Sequence, residues 1–445
     1  MKIIIGGAGE VGTHLSKLLS QEDQDIVLMD IDEDRLSFSS QFELMTIQGN
    51  PTSIHDLKAA GIKGADMFIA VTPEEATNMT ACMLAHTLGA KKTIARVENE
   101  EYLSPRNTVF FSQLGVDSLI CPETLAAEEI ESALKHPWTR QWWDIADEKL
   151  ILVGAKIRQN APIVDKFLHE LGGEEERRYH IVAIKRDHQT IIPRGSDRIE
   201  NNDIVYFSTT KEHIEEVKRL AGKQEIQINN VTIMGGSRIA LKVCERIPSN
   251  VHIKLLEADK EKSFRLAEKV ASNVMVIHGD GRNTDLLIQE NIKNCDAFLA
   301  LTGHSETNIL ACVAAKNLGV PKTIAEVENL DYIQMAEKLD VGSIINKKLI
   351  ASSHIYRFML QADVSTVKCL TFANAEVAEL VARKGAAITK KPVKELRLPQ
   401  DMTLGGRIRD GKAEIIDGNT QIEAGDHVLV FCLSAAMRKM ETYFN

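Results

Sequence analysis

The sequence predicts an α/β protein in which two parallel-sheet domains, copies of one another, are each followed by a small α+β module. Three observations predict it: an internal repeat, an alternation of β-branched strands with helical stretches, and a glycine-rich turn at the first strand-to-helix junction. The repeat is the strongest of the three. Asp66 through Asn99 aligns with Asp296 through Asn329 at a constant offset of 230, with 18 of 34 positions identical. Agreement at that level is a duplication, and a duplicated chain must be read as repeated units.

The elements follow in order. In the first copy, residues 2–5 read as a strand, 12–20 as a helix and 25–30 as a second strand. Further strands are predicted over 44–48, 67–72 and 93–97, with a helix over 76–88. Strands separated by helices form βαβ units, so the sheet is parallel and Rossmann-like. The second copy repeats the strands at 231–234, 253–257, 274–278, 297–302 and 323–327. After each copy comes a more β-rich segment. Residues 191–207 parallel 414–430, and both carry an acid, a turn pair and Asp before an alternating strand. The order is therefore large, small, large, small. The predicted boundaries are 1–119 for the first large domain, 120–145 for a linker helix and crossover, and 146–224 for the first small one. The second large domain takes 225–346, a second linker helix 347–366, and the second small domain 367–445.

Composition narrows the function. Of 445 residues, 44% are hydrophobic and 26% charged, the ordinary globular balance, which excludes a disordered, collagen-like or rod-like chain. Aromatic residues are only 5%, so the cores must rest on Ile, Val, Leu and Ala. The 53 Lys and Arg against 63 Asp and Glu give a net charge of −10, which repels phosphate backbones and argues against nucleic-acid binding. No apolar run approaches the roughly 20 residues of a membrane span. The chain starts directly in a strand without a leader, so a cytoplasmic protein is expected. Seven cysteines without CxxC spacing, and histidines without HExxH, predict reduced thiols and no metal site.

The chemistry sits in the glycine turn. Gly7-Ala8-Gly9-Glu10-Val11-Gly12 lies where a strand ends and a helix begins. The first glycine permits the turn, the second admits a pyrophosphate, and the third lets helix and strand approach. Helix amides then face the phosphates. Asp30 ends the second strand about 20 residues on, where a carboxylate accepts ribose hydroxyls. Thr72, followed by Pro73, and Arg96 end the fourth and fifth strands on the same edge, and Arg96 suits a bidentate phosphate pair. The second copy reads Gly235-Gly236-Ser237-Arg238-Ile239-Ala240, with Glu257 where Asp30 stood and Glu326 in place of Arg96. Ser237 crowds the phosphate approach, and Glu326 would repel a phosphate by about 1 to 4 kcal/mol. Whether this half binds nucleotide stays open. Gly279-Asp280-Gly281 reads either as a carboxylate near the adenosine or as a plain turn. The three tryptophans, all within 138–143, mark either a partner contact or a packed hinge.

The small modules show no His-Asp or Lys-Tyr arrangement poised for hydride chemistry, so sensing is expected rather than turnover. The glycine turn with Asp30, Thr72 and Arg96, the duplicated helices sharing Thr, Asn and Cys, and the paired small modules together resemble the TrkA family. Its members are peripheral NAD-binding subunits of bacterial Trk potassium uptake, built of two RCK (regulator of potassium conductance) repeats. The resemblance covers essentially the whole chain. It implies small domains of the RCK C-terminal type and a cytoplasmic homotetrameric ring under a membrane-embedded potassium-translocating subunit. It also implies binding of NAD(H) and of ATP or ADP, whose exchange gates the pore. Carried over by residue, the first site is Gly7 to Val11, Asp30, Thr72, Pro73 and Arg96, and the second is Gly235 to Ile239 with Glu257. The alternatives are a soluble NAD-dependent oxidoreductase and the gating ring of a different ion transporter.

Overall fold

The computed structural model describes residues 1–20, 24–37, 44–145, 149–171, 178–187, 189–359, 364–369, 375–433 and 437–445. The chain forms two compact units, one of Met1–Ala126 with Asn346–Met359, the other of Ala127–Ile345 with Leu360–Asn445.

The first unit is built on β1 (Lys2–Gly6), β2 (Asp25–Asp30), β3 (Met45–Gln48), β4 (Met67–Ala70), β5 (Thr93–Arg96) and β6 (Ser118–Ile120). They form one parallel sheet in the order β3-β2-β1-β4-β5-β6. The apolar runs of β1, β2 and β4 are buried on both faces, as a helix-covered parallel sheet requires. Ile4, Val27 and Phe68 pack on one face with Met79 and Cys82 of the helix Glu75–Thr87. Ile3, Ile5 and Leu28 pack on the other with Leu15 and Leu19 of the helix Glu10–Ser20. Ala351 and Ile355 of the helix Lys347–Met359 complete this second face. A helix that follows the second large domain in sequence is thus core to the first.

The second unit carries three sheets. β7 (Gln141–Ile145), β8 (Leu150–Lys156), β9 (Tyr179–Arg186), β10 (Gln189–Ile191) and β11 (Ile204–Thr209) form an antiparallel sheet ordered β10-β9-β11-β8-β7. Its edge strand β7 lies within the stretch read from sequence as a crossover. Next come β12 (Asn230–Met234), β13 (His252–Glu257), β14 (Val274–His278), β15 (Ala297–Ala300), β16 (Lys322–Glu326) and β17 (Ser343–Ile345). Their order, β14-β13-β12-β15-β16-β17, repeats the first sheet strand for strand. The last sheet, β18-β19-β22-β20-β21, is antiparallel and uses β18 (Val364–Cys369), β19 (Ala375–Val381), β20 (Met402–Arg409), β21 (Lys412–Ile415) and β22 (His427–Leu433).

The two antiparallel sheets share a core. Along β8 the side chains alternate: Leu150 and Leu152 meet Val377, Leu429 and Phe431 of the other sheet, whereas Ile151 and Val153 face Val205, Phe207 and Val217. Trp143 belongs to the shared core and Trp138 to the opposite face, while Trp142 stacks on His136 with ring centroids 3.5 Å apart. For Trp138 and Trp143 the packing reading holds. The parallel seen between residues 191–207 and 414–430 also has a structural cause. Arg186 binds Asp203 at 2.9 and 2.8 Å and Glu200 at 2.5 Å; Arg409 binds Asp426 at 2.7 Å twice and Glu423 at 2.6 Å. Each buried Asp is neutralised by a guanidinium on the neighbouring strand.

Candidate nucleotide site

Sheet register assembles the site. Gly6 pairs with Met29 on one side and Ala70 on the other, and Ala70 pairs with Ala95. The next residue of each strand, Gly7, Asp30, Val71 and Arg96, therefore forms one row along the carboxyl edge. β1 lies between β2 and β4, where the chain switches direction across the sheet and open α/β folds bind ligands.

Within this row each glycine has a distinct reason. Gly7 adopts φ +113°, and a side chain there would meet the Thr72 nitrogen at 2.9 Å. At Gly12 a Cβ would stand 1.8 Å from the Gly7 carbonyl, so the helix reaches the strand only because that atom is missing. A Cβ at Gly9 would meet nothing within 4 Å. Gly9 thus faces open space at the start of the helix Glu10–Ser20, whose first amides have no acceptor inside the helix. The open face and the bare amides fit a pyrophosphate.

Asp30 is buried and oriented by the same turn. One of its carboxylate oxygens accepts from the Ala8 amide at 2.6 Å and the other from the Asp32 amide at 2.9 Å. Each oxygen keeps a lone pair for a ribose hydroxyl. Arg96 stands at the far end of the row with loose carboxylate neighbours, Glu123 at 3.5 Å and Glu98 at 3.7 Å. Among the described residues, Arg96 Nε and Glu123 Oε2 are buried without a hydrogen-bond partner. A guanidinium held so loosely retains donors for a phosphate. Pro73, beside Thr72, is exposed.

A residue not counted as part of the site from sequence organises it. Asn78, buried in the helix Glu75–Thr87, accepts from the Thr72 amide at 2.9 Å and from its hydroxyl at 2.7 Å. Its own amide group donates to the Thr72 carbonyl and the Arg96 carbonyl, both at 2.9 Å. The signal was available in the repeat, because Asn308 reproduces every bond: Thr302 amide 3.1 Å, Thr302 hydroxyl 2.7 Å, Thr302 carbonyl 2.8 Å and Glu326 carbonyl 2.8 Å.

The second row differs in chemistry, not in frame. Met234 pairs with Leu256 and Ala300, and Ala300 with Ala325, which lines up Gly235, Glu257, Leu301 and Glu326. Gly235 repeats the positive φ at +96°, and Glu257 accepts from the Gly236 amide at 3.0 Å as Asp30 does from Ala8. Ser237, however, caps the helix Arg238–Arg246: its hydroxyl accepts from the Ala240 amide at 3.2 Å. Among the described residues no side chain caps the matching amide end in the first copy, where Gly9 stands; the second fills it with its own side chain. Ile239 and Ala240 are buried and Arg238 is exposed. Lys262 pairs with Glu257 at 2.7 Å. Burial by itself would raise the Glu257 carboxyl, but the Asp259 amide, Lys262 and the Gly236 amide hold it below the usual carboxylate range. Glu326 is buried at the end of β16. Asp280 is taken by Arg282 at 2.6 Å in a local turn, so the turn reading of Gly279-Asp280-Gly281 holds.

Fold and site together define a tandem protein: two Rossmann-like halves, one with an open glycine turn and one with a capped turn, each paired to a small antiparallel module. The TrkA-N domain model matches residues 3–122 and 231–347, and the TrkA-C domain model matches residues 152–222 and 377–445. The chain is 32% identical over 441 residues to the Trk system potassium uptake protein TrkA of Haemophilus influenzae, covering 97% of this chain and 95% of that one. It is also 32% identical over 444 residues to the protein of the same name from Vibrio alginolyticus, covering 98% and 96%. This chain belongs to the TrkA family. In fold it is similar to the GsuK channel bound to NAD, with TM-score 0.60 and 16% identity over 100% of this chain and 78% of that chain. Among the described residues no helix is long and apolar enough to cross a membrane.

Proposed function

We propose that this chain is a nucleotide-sensing regulatory subunit, without catalysis of its own, that gates a membrane-embedded Trk-type potassium-translocating subunit. The observation that carries the reading is the asymmetry of the two rows on one frame: Gly9, Asp30 and Arg96 in the first, Ser237, Glu257 and Glu326 in the second. Family membership supplies the transport context, since the relatives are named as potassium-uptake proteins.

In this reading NAD(H), and ATP or ADP in exchange with it, occupies the first row. The residues from Gly7 to Gly12 take the phosphates, Asp30 the ribose, and Thr72, Pro73 and Arg96 the far side. The second row, Gly235 to Ile239 with Glu257, is the weaker site. The modules are 1–119, 146–224, 225–346 and 367–445, joined by 120–145 and 347–366. The protein works as a homotetrameric ring on the cytoplasmic face of the plasma membrane, attached through its partner.

A route from ligand to module is at hand. A phosphate that takes Arg96 draws it from Glu123, in the first turn of the helix Pro122–Lys135. The same helix carries Glu131, which accepts from Arg246 Nε at 2.8 Å at the end of the helix Arg238–Arg246 that Ser237 caps. Ligands that bind this pair differently shift its equilibrium, which is what gating requires.

The test is affinity capture of the tagged chain from its own solubilised membranes, followed by NADH and ATP titration of the purified protein. Stoichiometric recovery of a multi-pass potassium-transport subunit, with nucleotide affinity lost in Arg96→Ala, supports the reading. A chain recovered alone that consumes NADH with a small carbonyl substrate would overturn it in favour of an oxidoreductase.

A further inference from the structure

Away from both glycine turns, the second unit holds a cationic cleft that neither row explains. Its volume is about 110 Å3, and it lies between β8, β9 and β11 of the first small sheet and the helix Leu330–Lys338 with the loop that leads to β17. That is room for about three to four waters, or for one tetrahedral oxyanion.

The charges around it do not balance. Asp340 receives Arg140, Arg158 and Lys316 together. Glu337 receives Lys185 on both oxygens at 2.7 Å. Lys338 and Asp187 add one charge of each sign to the lining. Four cations are thus spread over two carboxylates before Lys156 is counted. Lys156 ends β8 in the cleft wall, paired with Ile204 through the main chain, and its side chain has no hydrogen bond or ion pair among the described residues. A half-buried ammonium without a partner is costly unless something else supplies the negative charge.

The excess is felt by the neighbouring lysines. Burial is the largest cause that lowers Lys156 below the usual lysine range; the pull of Asp340 and, more weakly, of Glu337 opposes it, and repulsion from Arg140 and Arg158 adds to it. Burial, then repulsion from Arg140 and Arg158, brings Lys223 down to about 8 against the pull of Asp340. In both, burial weighs most and the arginines add to it, so a bound anion would favour the charged form of each lysine.

We propose that this cleft binds a small tetrahedral oxyanion, phosphate or the terminal phosphate of a larger ligand, with Lys156 as its principal protein cation. Lys156 comes from the small sheet and Lys338 from the helix Leu330–Lys338, so an oxyanion that takes both ties one to the other. The site is separate from both glycine turns and does not depend on what they bind.

The experiment is a titration of the full-length chain with inorganic phosphate at constant ionic strength, followed by 31P line width and thermal unfolding. It uses wild type, Lys156→Ala, Lys156→Gln and Arg96→Ala. Because the Lys156 side chain bonds to no described residue and its main-chain pairing with Ile204 does not need the side chain, both of its variants should fold as wild type. Loss of one charge-assisted bond predicts phosphate affinity weaker by about tenfold or more in both, with Arg96→Ala unchanged. A phosphomonoester such as glycerol phosphate, run in competition, separates the two sources: tighter binding than phosphate points to a larger ligand, weaker binding to the free ion. Lys156 variants that bind phosphate like wild type would overturn the proposal. So would a loss of binding in Arg96→Ala alone, which would put the phosphate in the glycine turn, or no binding by wild type at millimolar phosphate.

Discussion

The side-chain amide of Asn78 donates to the main-chain carbonyl of Arg96 at 2.9 Å, fastening the helix after β4 to the last residue of β5. The same amide holds Thr72, so two of the expected ligand residues are positioned by one buried side chain. Asn78→Ala leaves buried partners unmet and should cost about 2 to 3 kcal/mol of stability. It should also weaken NADH binding by about tenfold, since Thr72 and Arg96 lose their common anchor. Asn308→Ala removes the matching bonds in the second copy and should cost similar stability with little effect on first-site affinity. Urea denaturation and NADH fluorescence titration of both variants check this. An equal loss of affinity in the two would mean that the asparagine acts only through overall stability.

The contrast between Gly9 and Ser237 can be tested by exchange. A side chain at position 9 meets no atom within 4 Å, so Gly9→Ser should leave the thermal midpoint close to wild type. Its hydroxyl should nevertheless cap the helix as Ser237 does, competing with a phosphate for the first amides. We expect NADH and ATP affinity to fall by about tenfold, read by calorimetry. The reverse change, Ser237→Gly, should not open a strong site, because Glu326 remains. Tight binding by Gly9→Ser would show that the bare amide end is not what receives the ligand.

Much of this was legible in the sequence. The repeat and the β-branched runs placed five of the six strands of each parallel sheet to within a residue or two of most of their ends, because burial on both faces demands continuous Ile, Val and Leu; the three-residue edge strands Ser118–Ile120 and Ser343–Ile345 were too short to show a pattern. The glycine turn and Asp30 were legible for a related reason: backbone sterics at Gly7 and Gly12 admit no alternative residue. What stayed hidden depends on partners distant in sequence. Nothing in the pattern of Lys347–Met359 says that Ala351 and Ile355 pack beside Leu15 and Leu19 of the first copy. Trp143 read as a partner contact or as packing in a hinge, and only the fold places it in a core with Val377 and Phe431. Asn78 was visible as a repeated residue, but its role is a matter of hydrogen-bond geometry.

Asp340 concentrates the electrostatics of the second unit. Burial pushes its carboxyl up, but Arg140, Lys316 and Arg158 hold it at about 2. Asp340→Asn leaves these three cations without their shared counter-charge. The expected loss is about 2 to 4 kcal/mol, toward the lower end because the carboxylate is partly exposed to solvent. The urea midpoint at pH 7 checks it. A change below about 0.5 kcal/mol would mean that solvent already screens the cluster.

His14 gives the first unit a pH dependence. Burial first, then Lys348 and Lys17, holds its imidazole at about 4 against an ordinary value of 6.5, and its Nε2 has no hydrogen-bond partner among the described residues. The unfolded chain takes up this proton as the pH falls through 6.5, while the folded chain does so only near 4. The stabilisation is therefore complete above 6.5 and is lost progressively as the pH falls toward 4, by at most about 3 kcal/mol. Urea midpoints between pH 4.5 and pH 7 should slope upward in wild type and flatten in this window in His14→Gln. A slope that His14→Gln does not change would assign the acid sensitivity to other groups.

In the proposed reading Glu123 and a nucleotide phosphate make competing demands on Arg96. The carboxylate stands 3.5 Å from the guanidinium and is almost fully buried, so in the free protein it neutralises part of the charge that a nucleotide needs. Glu123→Gln keeps the shape and removes that competition, and should tighten ATP and NADH binding by about fivefold, roughly 1 kcal/mol. The same change should weaken the link from ligand to helix, because nucleotide no longer has a bond to break at the start of Pro122–Lys135. Hydrogen exchange of that helix, with and without nucleotide, reads the second effect: ligand should alter protection there in wild type and much less in Glu123→Gln. Tighter binding with an unchanged exchange response would keep Glu123 as a competitor for Arg96 but remove it from the signalling route.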